Sequence, residues 1–158
     1  MKTRTLYLSC ILAILFTGCT TRGVNKNLNT GLTTRYIGMS TETAEMLMDG
    51  GELNNSEVPL GASFAIVNDN VRGLVAKNNK YSIGCSLTIT DKQGTKLLDL
   101  PDLFKDHDIF DLDKAGRLKC TVNTGNPMQK GEPYVVTVIF SDKYGTGKIE
   151  NQVTITPI

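Results

Sequence analysis

The sequence predicts an all-β protein, an antiparallel two-sheet sandwich of about seven strands, on three observations. From Val58 onward apolar and polar residues alternate with a period of two. Gly- and Asp-rich turns interrupt the alternation at short intervals. The candidate strands fall within roughly 100 residues, as two packed sheets require.

Ser63–Val67 places Phe64 and Ile66 on one face, and Val71–Ala76 is a second short candidate. Tyr81–Thr90 separates Ile83, Cys85, Leu87 and Ile89 from Ser82, Gly84, Ser86, Thr88 and Thr90. Asp91-Lys92-Gln93-Gly94 is a turn, and Thr95–Leu100 can return as the paired strand. Leu118–Asn123 sets Leu118, Cys120 and Val122 against Lys119 and Thr121. Tyr134–Ser141 is rich in β-branched residues, Asp142–Gly147 is a turn, and Lys148–Thr156 puts Ile149, Val153 and Ile155 on one face. Side chains two residues apart share a face, so each apolar set predicts a core-facing row.

Pro101–Gly116 breaks the alternation. It is acidic, and its Leu103, Phe104, Ile109, Phe110 and Leu112 could cover one open end of the sandwich. Ahead of the strands, Thr41–Met48 sets Ala44, Leu47 and Met48 at helical spacing, and Asp49-Gly50-Gly51 would stop that helix. Residues 20–35 are rich in Thr, Asn and Gly and read as a tether, ending in a short strand near Thr33–Gly38.

The N-terminus carries an address. Residues 1–5 contain Lys2 and Arg4 and no acid, residues 6–16 are an apolar run, and Thr17-Gly18 precede Cys19. A positive start, a short apolar core and small residues at a cut describe a secretory signal. The run is shorter than the about 20 apolar residues that span a bilayer, so removal is expected. Leu15-Phe16-Thr17-Gly18-Cys19 resembles the lipobox of bacterial lipoproteins, although Phe16 stands where that family usually has an aliphatic residue. The resemblance implies cleavage by signal peptidase II and lipidation of Cys19. Thr20 rather than Asp after the cysteine, by similarity to lipoprotein sorting, implies the outer membrane facing the periplasm. The expected division is signal peptide 1–18, lipidated N-terminus with tether and short helix 19–57, and sandwich 58–158.

Gly131–Val138 followed by Asp142-Lys143-Tyr144-Gly145 resembles the last two strands of immunoglobulin-like modules of bacterial envelope proteins. A transthyretin-like sandwich, as in small lipoproteins that support secretion machines, reads almost the same.

Composition narrows function. The chain of 158 residues carries 17 basic and 16 acidic residues, and without Lys2 and Arg4 the balance is 15 against 16. Such a domain lacks the strong positive field of a nucleic-acid binder. His107 is the sole histidine, and no Ser or Cys stands in a recognisable nucleophile turn, so no enzyme is expected and no catalytic residue is named. Gly145-Thr146-Gly147-Lys148 imitates the end of a phosphate loop, but Asp142 and Ile149 occupy positions that need Gly and Ser or Thr. Asp99, Asp102, Asp106, Asp108, Asp111 and Asp113 could offer oxygen ligands to Ca²⁺. Ala115 and Val122 break the Ca²⁺-loop pattern, and a solvated loop balanced by Lys105 and Lys114 is the expectation, with no metal and no cofactor.

Without the leader and with Cys19 lipidated, Cys85 and Cys120 are the remaining thiols. Both lie on apolar strand faces, so they are either an inter-sheet disulfide, which an exporting compartment permits, or two buried thiols. The expected function is a non-enzymatic, membrane-tethered module that binds an envelope protein or helps assemble an envelope or secretion complex. Its expected contact loops are Pro101–Gly116 and Asn123–Gly131. The alternative is capture of a glycan or nutrient by a patch containing Tyr81, Tyr134 or Tyr144, and a hydrolase comes third.

Overall fold

Residues 21–158 are described by the computed structural model. The leader and Cys19 lie outside the described residues. Twelve strands follow one another without a helix among those residues.

In chain order they are β1 Arg22–Lys26, β2 Thr33–Ile37, β3 Thr43–Met48, β4 Gly51–Glu52, β5 Glu57–Val58 and β6 Ser63–Asp69. Then come β7 Lys80–Thr90, β8 Lys96–Leu100, β9 Ile109–Asp111, β10 Arg117–Asn123, β11 Tyr134–Asp142 and β12 Lys148–Pro157. One sheet runs β1-β2-β12-β11-β7-β8, and the other runs β10-β6-β3-β4. All pairings along both paths are antiparallel. Off these paths, β9 continues along β7 beyond β8, and β5 pairs with β12 in parallel for two residues.

The core is the set of inward rows that alternation selects. Across the larger sheet, Tyr36, Ile149, Phe140 and Cys85 share one row and Thr34, Asn151, Val138 and Leu87 the next. The facing sheet supplies Met46, Ile66 and Cys120 in one row and Phe64 with Val122 in another. Phe64, Met46, Ile66, Phe140, Val138 and Ile149 are all fully buried. Truncating such a side chain to alanine costs on the order of 2–5 kcal/mol.

Turn chemistry fixes the registers. Asp49 and Gly50 both adopt positive φ between β3 and β4, the conformation a two-residue hairpin turn needs. Asp91 accepts the backbone N–H of Gln93 and Thr95 through one carboxylate oxygen, closing the β7–β8 hairpin.

Three expectations are corrected. Thr43–Met48 is a strand, not a helix, because it pairs with β6 over five residues. Its inward residue is Met46, fully buried, which helical spacing had passed over. The part of the expected tether that the structure describes, residues 21–35, is not loose: β1 pairs with β2 and β2 with β12, so this segment extends the larger sheet ahead of Val58. Val71–Ala76 forms no strand. It crosses one end of the sandwich as a loop, held by reciprocal Ser40–Arg72 backbone bonds of 3.0 Å and by Val75 N–H donating to Asp142 at 2.8 Å. The strand count therefore exceeds seven, while the two-sheet antiparallel architecture stands.

Candidate functional site

The two long sides of the sandwich differ. On the β8/β10 side, Pro101–Gly116 takes over the edge of β7 where β8 ends. Leu103 N–H donates to the Cys85 carbonyl at 2.6 Å, Ile83 N–H to the Asp108 carbonyl at 2.8 Å, and Cys85 N–H to the Asp102 carboxylate at 3.1 Å. This loop seals a sheet edge rather than capping an end of the sandwich. Phe104 packs near Phe110 and Phe140, with ring centroids 5.5 and 6.2 Å away. Leu103, Ile109 and Leu112 remain exposed.

Two acids of the run, Asp102 and Asp108, are paired by Lys143. Its ammonium lies 2.7 Å from Asp102 and 2.9 Å from Asp108, between the two carboxylates where a cation would sit. Burial alone would raise the Asp102 carboxyl, but Lys143 and the N–H groups of Cys85 and Phe104 outweigh it and hold it below the usual carboxylate range. Lys143 and the Ser82 hydroxyl lower Asp108 likewise. Asp111 pairs with Lys80 and Asp99 with Lys96. Among the described residues no three His, Cys, Asp or Glu side chains gather as a metal-binding group.

Cys85 and Cys120 are both buried and are present as thiols. The strands place them on facing sheets, in the rows of Phe140 and Ile66. A hydrogen bond with Cys120, then burial, then the charges of Cys120 and Asp102 push the Cys85 thiol well up. Both belong to the one buried core.

Among the described residues the opposite side is open. β1 is the last strand of the larger sheet, and β4 covers β3 only at Leu47 and Met48. Between these edges runs a groove of about 590 Å³. Its walls carry Glu42, Glu45 and Glu52 against Lys26, with Ala44 and Val24 as apolar contacts. Unpaired strand edges facing a groove can accept an extended chain through main-chain hydrogen bonds. Sequence reasoning missed this groove because it depends on which strands are edges.

The remaining sequence candidates do not converge. Tyr134 begins β11, is buried, and accepts the Gln129 N–H at its hydroxyl. Tyr144 lies beyond the other end of β11, with the Lys77 ammonium 4.7 Å from its ring centroid. These two tyrosines therefore build no common patch. His107 is exposed, and among the described residues no hydrogen bond joins its side chain to a Ser, Thr or Cys. Gly145–Gly147 lies in the β11–β12 turn, and Lys148 opens β12. Asn123–Gly131 lies at the far end with a cis Asn126–Pro127 bond. Together with the Asp91–Thr95 turn it borders a second groove of about 430 Å³.

Known proteins add little. No protein-family model matches the chain, and no curated protein matches it significantly. Among solved structures, the chain is similar to the C-terminal domain of wzt, at 9% identity with a TM-score of 0.48, covering 89% of this chain and 79% of that one.

Proposed function

We propose that this chain is a bacterial envelope lipoprotein, anchored through lipid on Cys19 in the outer membrane facing the periplasm, and acting there as a non-enzymatic protein-binding or assembly module. One observation carries the reading. The lipobox-like Leu15–Cys19 ends two residues before Thr21, whose carbonyl already accepts the Gly38 N–H at 2.8 Å in the first rung of the larger sheet. Cleavage before Cys19 would thus remove the leader and leave the sandwich whole.

The open groove supports a protein partner over a small substrate. It is shallow, polar and bordered by two strand edges, which suits an extended segment added as a strand. Its three glutamates against one lysine favour a basic segment. The sealed, lysine-neutralised Pro101–Gly116 loop is the poorer contact surface. Glycan capture is the weaker reading, because Tyr134 is buried and lies at the other end of β11 from Tyr144.

The test has two arms. Wild-type chain should partition with membranes and carry acyl groups, and Cys19→Ser should lose both. A photo-crosslinker at Glu45 should then give a discrete adduct with one envelope protein in the native membrane. An acylated protein that yields no adduct from Glu45, but one from Gln93, would overturn the groove assignment.

A further inference from the structure

We infer that the end of the sandwich where the chain begins lies directly on the bilayer and recognises its anionic headgroups. This rests on the lipid-anchored reading above and goes beyond it in naming the surface and its ligand. Because Thr21 is fixed to Gly38, Cys19 lies at most about 7 Å of chain from the folded sheet. No tether separates anchor from domain, so a lipid on Cys19 brings this end to the headgroups.

That end is basic where the chain meets it. Arg22, Ile37 and Lys148 form one row across β1, β2 and β12 on the outer face of the larger sheet. Arg72 is held beside Ser40 by the backbone bridge, and Lys77 sits over Tyr144 in the adjoining turn. Arg22, Arg72, Lys77 and Lys148 are all exposed, and none makes an ion pair among the described residues. Val75 adds an exposed apolar side chain between them, on the loop pinned to Asp142. Glu42 shares a shallow depression with Arg72 and hydrogen-bonds Asn70.

The acids of Asp106–Asp113 lie to one side of this patch. They lie beside β7, four strands from Arg22 on β1, about 19 Å at the usual strand spacing, and two strands from Lys148 on β12, about 10 Å, while Lys77 bridges Lys80, the ion-pair partner of Asp111. Both spacings exceed the screening length of about 8 Å at physiological salt, so Arg22 and Lys148 keep their field, while Lys77 stands at the border with the acids. The end is therefore polarised, basic under the anchor and acidic away from it. A bilayer carrying negative headgroups attracts the first half and repels the second, which fixes tilt as well as contact.

The experiment uses the full chain, processed by its host, extracted in mild detergent and reconstituted into phosphatidylglycerol-containing or pure phosphatidylcholine vesicles. The mass of the N-terminal peptide reports acylation of Cys19 independently of orientation. Lysine acetylation is then measured site by site. Lys77 and Lys148 should react several-fold more slowly in the anionic vesicles than in detergent, while Lys92 and Lys130 at the far end stay unchanged. High salt, or Arg72→Glu with Lys148→Glu, should restore labelling of Lys77. An acylated protein whose Lys77 and Lys148 label as fast as Lys130 overturns the inference, and equal protection on phosphatidylcholine overturns the headgroup assignment. An N-terminal peptide without acyl groups defeats the anchoring reading, and the inference with it.

Discussion

Asn68 and Asn151 exchange side-chain amide hydrogen bonds across the core, at 2.7 and 3.2 Å, and join the two sheets. Both are fully buried, and the Thr34 hydroxyl donates to the same Asn151 oxygen at 2.8 Å. A buried amide left without its partner carries its full desolvation cost, about 1–3 kcal/mol. Asn68→Ala should therefore destabilise the protein by about 2–3 kcal/mol in urea unfolding, cavity included. Asn68→Leu combined with Asn151→Leu should cost less than the two single changes together, because no amide is stranded. Simple additivity would show that the pair does not act as a unit.

Lys143 should govern the acid limb of stability. Asp102 and Asp108 sit below their ordinary range in the folded chain, so their contribution is complete above about pH 4 and fades as pH falls through the lower folded values. The same contacts raise Lys143, so its share is present below about pH 10.4 and is lost as pH rises through its higher folded value. Lys143→Met should flatten both limbs and free the loop, with a loss of about 1 kcal/mol at neutral pH. Unfolding midpoints followed from pH 2 to pH 7 check this, and an unchanged acid limb contradicts it.

Most of the larger sheet was legible in the sequence because its strands are amphipathic by themselves. Ile83 through Ile89 and Ile149 through Ile155 alternate over enough residues to specify a face locally, and these residues are buried. Even there, Asn151 sits at an inward position between Ile149 and Val153, a signal that an alternation count could have read as a buried polar pair. β3 was not legible. Ala44, Leu47 and Met48 fit a helical face, and only pairing with β6, about 22 residues later, makes Met46 the inward residue. β1 has no inward apolar row of its own, so nothing local distinguishes it from a linker. The groove was hidden for the same reason: edges belong to topology, and topology is non-local.

The segment before Val58 should behave as part of the fold. Limited proteolysis should leave β1 through β4 attached to the core, and cuts confined to residues 21–57 with a stable fragment from Val58 would contradict the sheet order. A sharper probe is Gly73, which has φ of +84° and faces the Gly38 carbonyl where a Cβ would clash. Gly73→Ala should cost about 2 kcal/mol or more, since strain and backbone displacement combine. Gly31→Ala also meets positive φ but open space, and should cost less. Thermal unfolding of the two variants, compared side by side, separates the clash from the dihedral strain they share.

Cys85 and Cys120 give the last prediction. They lie on facing sheets, both buried in one core, with a raised Cys85 thiol. As thiols they should be slow to react with alkylating agents at neutral pH in the folded protein, because burial keeps the reagent from both and Cys85 in addition holds its proton, the attacking form being the thiolate. Export would expose the folding chain to disulfide oxidants: one cysteine thiolate displaces a sulfur of the oxidant to form a mixed disulfide, and the second cysteine thiolate then displaces the oxidant from it, joining Cys85 to Cys120 and releasing the oxidant as its reduced dithiol. The exported protein, denatured without reductant, should then contain no titratable thiol at either position. Bridging residues 35 apart removes unfolded-chain entropy worth about 4 kcal/mol, less any native strain. Reduction should accordingly lower the urea midpoint of wild type and leave that of the Cys85→Ala, Cys120→Ala variant unmoved. Two free thiols in the exported, denatured chain would show that the pair serves as apolar packing alone.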